Sequence, residues 1–484
     1  MTDAKKEDSV TGGKNIPTEM AHNPFPAERD LNPLRSDAVV MGGGPGGLAA
    51  AIHLRRAGMT VVCIEPDPFP HDSVGESLDW SSPGLLAELG ICRESLIQDQ
   101  VATYKKHIEI VTLHRPAYQA QPYPWFVNPP LGFEIVTLHV DRVAMNQRLF
   151  EAANKVGVEF LWDRVTELEV EGERVMAVRT SEERRLEARW FIDASGLGGR
   201  LLGRKFQIPK MDYGRRKVCL WCHFDTPVRT EGTTFYADTV ADEYLTWTWE
   251  IPISPKAASV GCVMSAEFVT HRRRQGMDIR QILWEQLEKY CRFDQLLEQQ
   301  PCARVHSVSY QSYVFTNACG PNWLILGEAA SLVDPLTANG VTAALRHARE
   351  GTSLILESRH RGELTAHHRW LYNTNLKRMG RAFNHSVETA IYEKSIRWGL
   401  GVMPAQRVYT AFSYTINALY SKLRPKGWIS MLCFGLLLKG VWAWIEGWAF
   451  LGRVNCFLRP GLRARRLQIA AGQRPPPLEK RESP

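Results

Sequence analysis

The chain has 484 residues, of which 44% are hydrophobic and 23% charged, and it carries a formal net charge of +7. That balance excludes a disordered or collagen-like chain, and the length leaves room for more than one compact region. The basic excess is too small to point to nucleic acid. The ten cysteines have no framework spacing, and no secretory leader is visible, so they read as reduced thiols of a cytoplasmic protein.

Residues 1–36 mix Asp, Lys, Asn, Gly and Pro without an apolar period and read as a disordered arm. Asp37–Met41 reads as a short strand, Gly42–Gly47 as a glycine turn, Leu48–Ala57 as a helix, and Thr60–Ile64 as a second strand followed by Glu65. This is the order and size of a βαβ unit. Val158–Leu161, Val165–Glu171, Arg174–Thr180 and Trp190–Ile192 look like further strands, the last running into Asp193. From Lys217 to Val269 an alternation rich in Trp, Thr, Val and Tyr predicts β-sheet. It contains the CxxC pair Cys219 and Cys222, which lacks a second pair for zinc and reads as part of a buried strand.

Gln275–Tyr290 has helical spacing, Val305–Val314 and Trp323–Leu326 return to strand, and Val341–Leu356 reads as a long helix. Beyond Leu364 the pattern is mostly helical until a polar, proline-rich tail at 472–484, which reads as disordered. The expected class is α/β: a Rossmann-type dinucleotide-binding region within 37–365, a mixed β-sheet substrate region inserted at about 98–140 and 215–315, and a mostly helical C-terminal part over 366–471.

Gly42, Gly44 and Gly47 form GxGxxG, with Pro45 and Gly46 inside it. The first glycine permits the tight turn, the second lets a pyrophosphate approach the backbone, and the third lets helix and strand pack closely. The helix N-terminus then offers N–H groups to the phosphates. Glu65, ending the next strand, is placed to accept a ribose hydroxyl and disfavours a ribose phosphate. The site therefore suits FAD or NAD better than NADP.

Asp141-Arg142, Asp193-Ala194-Ser195-Gly196, and Gly327-Glu328-Ala329-Ala330 ahead of Asp334-Pro335 resemble motifs of the FAD-dependent monooxygenases. That resemblance implies FAD, with Arg142, Asp193, Gly327, Glu328 and Pro335 beside it. Glu328 stands where the superfamily usually has Asp. A single dinucleotide fingerprint is present, so reduced flavin is expected from transient NAD(P)H or from a separate flavin reductase.

Trp247-Thr248-Trp249-Glu250-Ile251-Pro252 is similar to the WxWxIP segment of flavin-dependent halogenases at every fixed position. Tryptophans at i and i+2 share one strand face; the plain alternative is a pair of core tryptophans. Val74-Gly75-Glu76-Ser77 resembles the same family's segment near flavin. Tyr104-Lys105, with Ile108, resembles the stretch carrying its active-site lysine, although Lys106 is adjacent.

The resemblance, which spans Asp37 to Leu356, implies that reduced flavin and O₂ oxidise chloride or bromide to hypohalous acid. It places Trp247, Trp249, Glu76 and Ser77 near the flavin, and it has Lys105 direct hypohalous acid to an electron-rich ring. The plain alternative for Lys105 and Lys106 is a solvated surface pair.

Pro335-Leu336-Thr337-Ala338-Asn339-Gly340 resembles the family's chloride loop, where Asn339 and Gly340 are expected to take positive φ and form an anion nest. A plain helix-entry turn is the alternative. No clear counterpart of the tryptophan halogenases' active-site glutamate is found, which favours a phenol or pyrrole, free or tethered to a carrier protein. The rivals that share the FAD motifs are a monooxygenase that hydroxylates or epoxidises directly, a prenyl reductase, and a membrane-associated redox flavoprotein.

Gly427–Gly452 is apolar, rich in tryptophan and long enough to span a bilayer, but Lys439 and Glu446 interrupt it. Lys422, Arg424 and Lys426 precede it, and Arg453, Arg459, Arg463, Arg465 and Arg466 follow. Two readings compete: peripheral contact with an anionic membrane through 422–466, and a helix packed over the active site. The second is favoured.

Overall fold

The computed structural model describes residues 34–67, 74–79, 81–112, 115–120, 137–238, 244–301, 303–392 and 428–458. The arm at 1–33 and the tail at 472–484 lie outside the described residues. Strands β1 (Leu34–Met41) and β2 (Val61–Glu65) flank helix α1 (Pro45–Arg56). The chain then runs through β3 (Ala102–Lys105), β4 (His107–Thr112), β5 (Arg115–Ala120) and β6 (Thr137–Val140), and returns by β7 (Glu159–Trp162), β8 (Val165–Glu171), β9 (Arg174–Thr180) and β10 (Arg185–Asp193). Next come β11 (Lys210–Asp225), β12 (Gly232–Asp238), β13 (Thr246–Ser254), β14 (Ala257–Ser265), β15 (His306–Phe315), β16 (Trp323–Ile325) and β17 (Ser331–Leu332).

The first sheet has the order β7-β2-β1-β10-β9-β8, with β16 pairing β10. Pairs β2–β7, β1–β2, β1–β10 and β10–β16 are parallel, while β8 and β9 are antiparallel additions. Parallel strands buried on both faces are continuous apolar runs, and Ala38-Val39-Val40-Met41 and Val61-Val62-Cys63-Ile64 are buried throughout. β1 starts three residues earlier than the composition suggests, because Leu34 to Ser36 pair with Leu186 to Ala188. An exposed strand end carries little apolar signal, so composition alone extends the arm to Ser36.

The second sheet has the order β17-β15-β11-β14-β13-β12-β4-β5, antiparallel except for the β12–β4 pair. That parallel pair joins β4 and β5 to the strands between Lys210 and Phe315. Alternation gives this sheet two different faces. Leu220, Cys222, Phe224, Tyr236, Val260 and Cys262 pack under the helices Ala266–Arg274, Ile279–Leu287 and Asp294–Gln299. Cys219, Trp221, Trp247, Trp249 and Val263 face the opposite way, into the core shared with the dinucleotide-binding sheet. Val269, expected in a strand, is helical: the Ser265 side chain accepts from Phe268 N–H and caps the helix that follows.

The helix Gly340–Ser358 packs against α1, and the helix Ala366–Val387 ends in a π turn at Glu388–Tyr392. The C-terminal helix Trp428–Leu458 buries one stripe, Met431, Phe434, Ile445 and Ala449, against the rest of the protein. Its other sides are exposed, with 17% of its apolar window buried. The expected burial of this segment over the active site is thus corrected. A helix that is apolar all round cannot be covered by a contact along one stripe.

Phe293 is fully buried at the centre of the outer cluster, with Tyr236 and Tyr290 against its ring. Phe293→Ala is expected to lower unfolding stability by about 3–5 kcal/mol in a urea titration.

Candidate active site

Because β1, β2, β10 and β16 are parallel, their carboxyl ends emerge on one edge of the sheet, where open α/β sheets bind ligands. Gly42–Gly47, Glu65, Asp193 and Gly327-Glu328 all lie on that edge. Gly42 has φ +112°, and a Cβ there would stand 2.4 Å from the Ala194 carbonyl oxygen. At Gly47 a Cβ would meet the Gly42 carbonyl oxygen at 1.9 Å. At Gly44 it would meet nothing within 4 Å among the described residues, so this glycine faces the open cradle a dinucleotide requires. Gly44 caps α1 without any side-chain hydrogen bond, and Pro45 follows at N1. The first turn of the helix therefore directs bare backbone N–H groups at this cradle.

The Glu65 carboxylate accepts from Gly43 N–H at 2.5 Å, directly beside the glycine turn. Asp193 is fully buried and spends both oxygens on Ser195 and on Leu202 N–H (2.7 Å), so it shapes the 195–202 turn. Burial pushes its carboxyl up. Gly327 has φ +61°, and the Glu328 side chain is exposed in the cleft. Surrounding protein raises the Glu328 carboxyl, while the Arg142 guanidinium opposes that rise. Arg142, buried at the N-terminus of the helix Arg142–Lys155, donates to the Val74 carbonyl at 3.0 Å, and its buried Nε has no acceptor among the described residues. An open glycine turn, an uncapped helix end and an orphaned guanidinium N–H together fit FAD.

The Arg142 contact fixes the segment Val74–Ser77, and that segment divides into two hydrogen-bond chains. Glu76, 1% exposed, accepts from Ser259 Oγ at 2.9 Å and lies 3.3 Å from His223 Nε2. Trp249 Nε1–H donates to the same Ser259 at 3.1 Å. Burial alone would raise the Glu76 carboxyl, but the hydrogen bond from His223 and the backbone N–H groups hold it below its ordinary range.

Ser77 Oγ accepts from Lys105 Nζ at 2.8 Å, and among the described residues the other acceptor of that ammonium is the Leu78 carbonyl at 3.5 Å. Lys105 is buried, whereas Lys106 is exposed and paired with Glu231. The two adjacent lysines part at the end of β3: Lys105, its last residue, turns inward, and Lys106, in the link to β4, turns outward. Burial lowers the Lys105 ammonium to about 8, against the pull of Asp79. His139 sits on the paired strand β6, fully buried and 2.8 Å from Thr233 Oγ1, and burial keeps it well below its usual range.

Trp247 enters a second network, whose members Tyr392, Tyr310, Lys217 and Glu388 lie outside the sequence motifs. Its Nε1–H donates to Tyr392 Oη at 2.8 Å, and Tyr392 Oη–H donates to Asp334 at 3.2 Å. Asp334 also accepts from Tyr310 at 3.2 Å and pairs with Lys217 at 3.2 Å. Lys217, wholly buried, also contacts Glu388 and lies 4.3 Å from the Tyr392 ring centroid. Burial opposes its charge, yet Asp334 and Glu388 hold Lys217 above the ordinary lysine range. The signal was in the sequence: Lys217 shares the face of Cys219 and Trp221, two and four residues on.

The turn Pro335–Thr337 leads into Ala338, which has φ +53°. Asn339 has φ −109° and Gly340 is absent from the positive-φ residues, so the expected nest at Asn339 and Gly340 is corrected: the left-handed residue is Ala338. Asp334 determines this, because its carboxylate accepts from Leu336 N–H and its carbonyl from Thr337 N–H, winding the turn before the helix starts. Asn339 and Gly340 still form the entry to the 19-residue helix Gly340–Ser358, whose dipole is positive at this end.

The fold and site define an FAD-dependent oxidoreductase. The family model for FAD dependent oxidoreductases matches residues 37–204. The model for tryptophan halogenases matches 129–385, more than half of the chain. The protein belongs to that halogenase family, and its cofactor and co-substrate are FAD and halide.

A 1H-pyrrole-2-carbonyl peptidyl-carrier-protein chlorinase of Pseudomonas fluorescens is 25% identical over 348 residues, 66% of this chain and 76% of that protein. A tryptophan 2-halogenase of Chondromyces crocatus is 26% identical over 324 residues, 65% of this chain and 60% of that protein. In fold, the structure of the flavin-dependent brominase Bmp2 aligns with a TM-score of 0.58 at 19% identity, covering 84% of this chain and 98% of that one.

Lys217→Met leaves the Asp334 and Glu388 carboxylates buried without their cation. It is expected to cost about 3–5 kcal/mol of stability, read as a lowered denaturation midpoint and a change in the tryptophan fluorescence that includes Trp247.

Proposed function

We propose that this halogenase acts on an electron-rich aromatic ring of the phenol or pyrrole type, and that Lys105 directs hypohalous acid to the ring. Bound reduced flavin with O₂ supplies the oxidising equivalent that turns chloride or bromide into hypohalous acid. Gly42, Gly44, Pro45, Gly46, Gly47, Glu65, Arg142, Gly327 and Glu328 would hold the dinucleotide, with Asp193 shaping the turn beside it. A separate flavin reductase or transient NAD(P)H fits the single dinucleotide fingerprint.

One observation carries the reading. Lys105 is a buried ammonium held by Ser77, whose neighbour Glu76 connects through Ser259 to Trp249. A desolvated ammonium donates strong hydrogen bonds to a polar oxidant. Ser77 fixes its position, and Trp249, linked to Glu76 through Ser259, lies buried in the core with Trp247 beside it. The pyrrole named for the P. fluorescens relative supports the substrate class, and the carrier protein in the same name supports a tethered ring beside a free one.

Purified protein with FAD, a flavin reductase, NADH and O₂, offered phenol, pyrrole and indole panels, is expected to give products with halogen isotope patterns by mass spectrometry when bromide or chloride is present. In Lys105→Ala the halogenated product should fall at least about 100-fold while FAD content stays unchanged. A mass gain of one oxygen regardless of halide would sink the reading in favour of direct monooxygenation.

The pH profile provides a second check. The charged form of Lys105 predominates below its depressed value of about 8, so halogenation is expected to decline as pH rises through that value. Asp79 favours the charged form, so Asp79→Asn should move the alkaline limb to lower pH; an unmoved limb would assign it to another group.

A further inference from the structure

The C-terminal helix Trp428–Leu458 has 31 residues, about 46 Å at 1.5 Å per residue. At about 100° per residue its buried side chains, Met431, Phe434, Ile445 and Ala449, gather on one side. Leu432, Leu436, Trp444, Phe450, Leu451 and Phe457 fall on the other side, with Leu436 59% and Phe457 83% exposed. Patches of this kind mark interaction surfaces.

A spanning orientation conflicts with the packing. The helix Ala366–Val387 and the π turn after it lie against this segment, with His385 Nε2 at 2.7 Å from Glu446 and Arg378 donating to the Met431 carbonyl at 2.6 Å. A helix crossing the bilayer would drag these groups into hydrocarbon. A helix lying in the plane of the interface would not.

Charge indicates what covers the face. Arg378, Arg381 and Lys439 line a cleft of about 240 Å³ with Leu432, Leu436 and Trp442, where the exposed face meets the helix Ala366–Val387. Arg381 stacks on Trp442 at 4.1 Å, and the buried Trp442 Nε1–H has no acceptor among the described residues. Lys422, Arg424 and Lys426 precede the helix in sequence, Arg459, Arg463, Arg465 and Arg466 follow it, and no acidic residue lies in 422–427 or 459–466. Apolar side chains bordered by cations and tryptophan match a membrane surface bearing anionic head groups. A second copy of the chain would bring these cations against their own kind.

We propose that this face docks the enzyme peripherally on an anionic phospholipid bilayer, the exposed side chains entering the acyl boundary and the Arg378–Arg381–Lys439 cleft receiving a head-group phosphate. The inference is independent of the substrate reading.

The full chain with FAD bound would be centrifuged with vesicles of phosphatidylcholine alone and of equimolar phosphatidylcholine and phosphatidylglycerol. Co-sedimentation with the mixed vesicles, weakened by high salt, is expected. The triple variant Leu432→Glu, Leu436→Glu, Phe450→Glu should lose binding at least about tenfold while keeping its FAD content. Arg381→Ala with Lys439→Ala should lose about tenfold on the mixed vesicles. Brominated lipids should quench Trp444 emission, judged against Trp444→Phe. Absence of binding to either vesicle would overturn the proposal. So would a concentration-dependent dimer in sedimentation velocity that the triple variant abolishes, which would assign the face to a second copy.

Discussion

Because β2, β1, β10 and β16 run parallel, each must deliver its carboxyl end to the same edge of the sheet. The glycine turn after β1, Glu65 after β2, Asp193 at the end of β10 and Gly327 after β16 come from positions far apart in the chain, and this one constraint collects them. Helix α1 could not start directly after β1 without the left-handed Gly42 and the close pass of Gly47 beneath it. Everything further from the sheet is positioned from that edge. Arg142 ties down Val74 and Gly75, and those residues place Glu76 and Ser77 between the two sheets.

The two buried lysines show how neighbours decide the state of one residue type. Both are removed from water, which disfavours the ammonium. Lys217 meets two carboxylates and aromatic ring faces, and its charge is held firmly. Lys105 has a hydroxyl, a carbonyl and the more distant charge of Asp79, and its ammonium falls to about 8. The first arrangement suits a fixed tie between the second sheet, the turn at Asp334 and the π turn at Glu388. The second suits a group that exchanges hydrogen bonds with a ligand. Trp247 and Trp249, two residues apart on β13, connect separately, one to the Lys217 network through Tyr392 and the other to Glu76 through Ser259.

Much of the dinucleotide-binding region was legible because its signals are local. The turn needs glycines at fixed offsets, buried parallel strands need unbroken apolar runs, and β8, β9 and Gly340–Ser358 matched their periodicity to within a few residues. The boundaries that shifted have local causes too: Leu34–Ser36 gains its pairing from Leu186–Ala188, and Ser265 caps a helix where alternation suggested more strand. The nest expected at Asn339 and Gly340 was misplaced by one residue or more, because Asp334 draws the turn tight and puts the positive φ on Ala338.

By itself the sequence determined the class of fold and a dinucleotide site, since both depend on backbone requirements that only particular residues at particular spacings meet, while its resemblance at Gly327–Ala330 and Trp247–Pro252 pointed to FAD and to the family. Tertiary structure decided which lysine is inside, because the pairing of Lys105 with Thr137 at the end of β3 turns it toward Ser77, and Lys106, in the link to β4, is left to Glu231. It also decided that Lys217, Asp334 and Glu388 meet, across separations no local period encodes. The fate of the apolar C-terminal helix was settled in the same way. Its composition suits burial, spanning and lying on a membrane alike, and only its packing along a single stripe shows which sides remain uncovered.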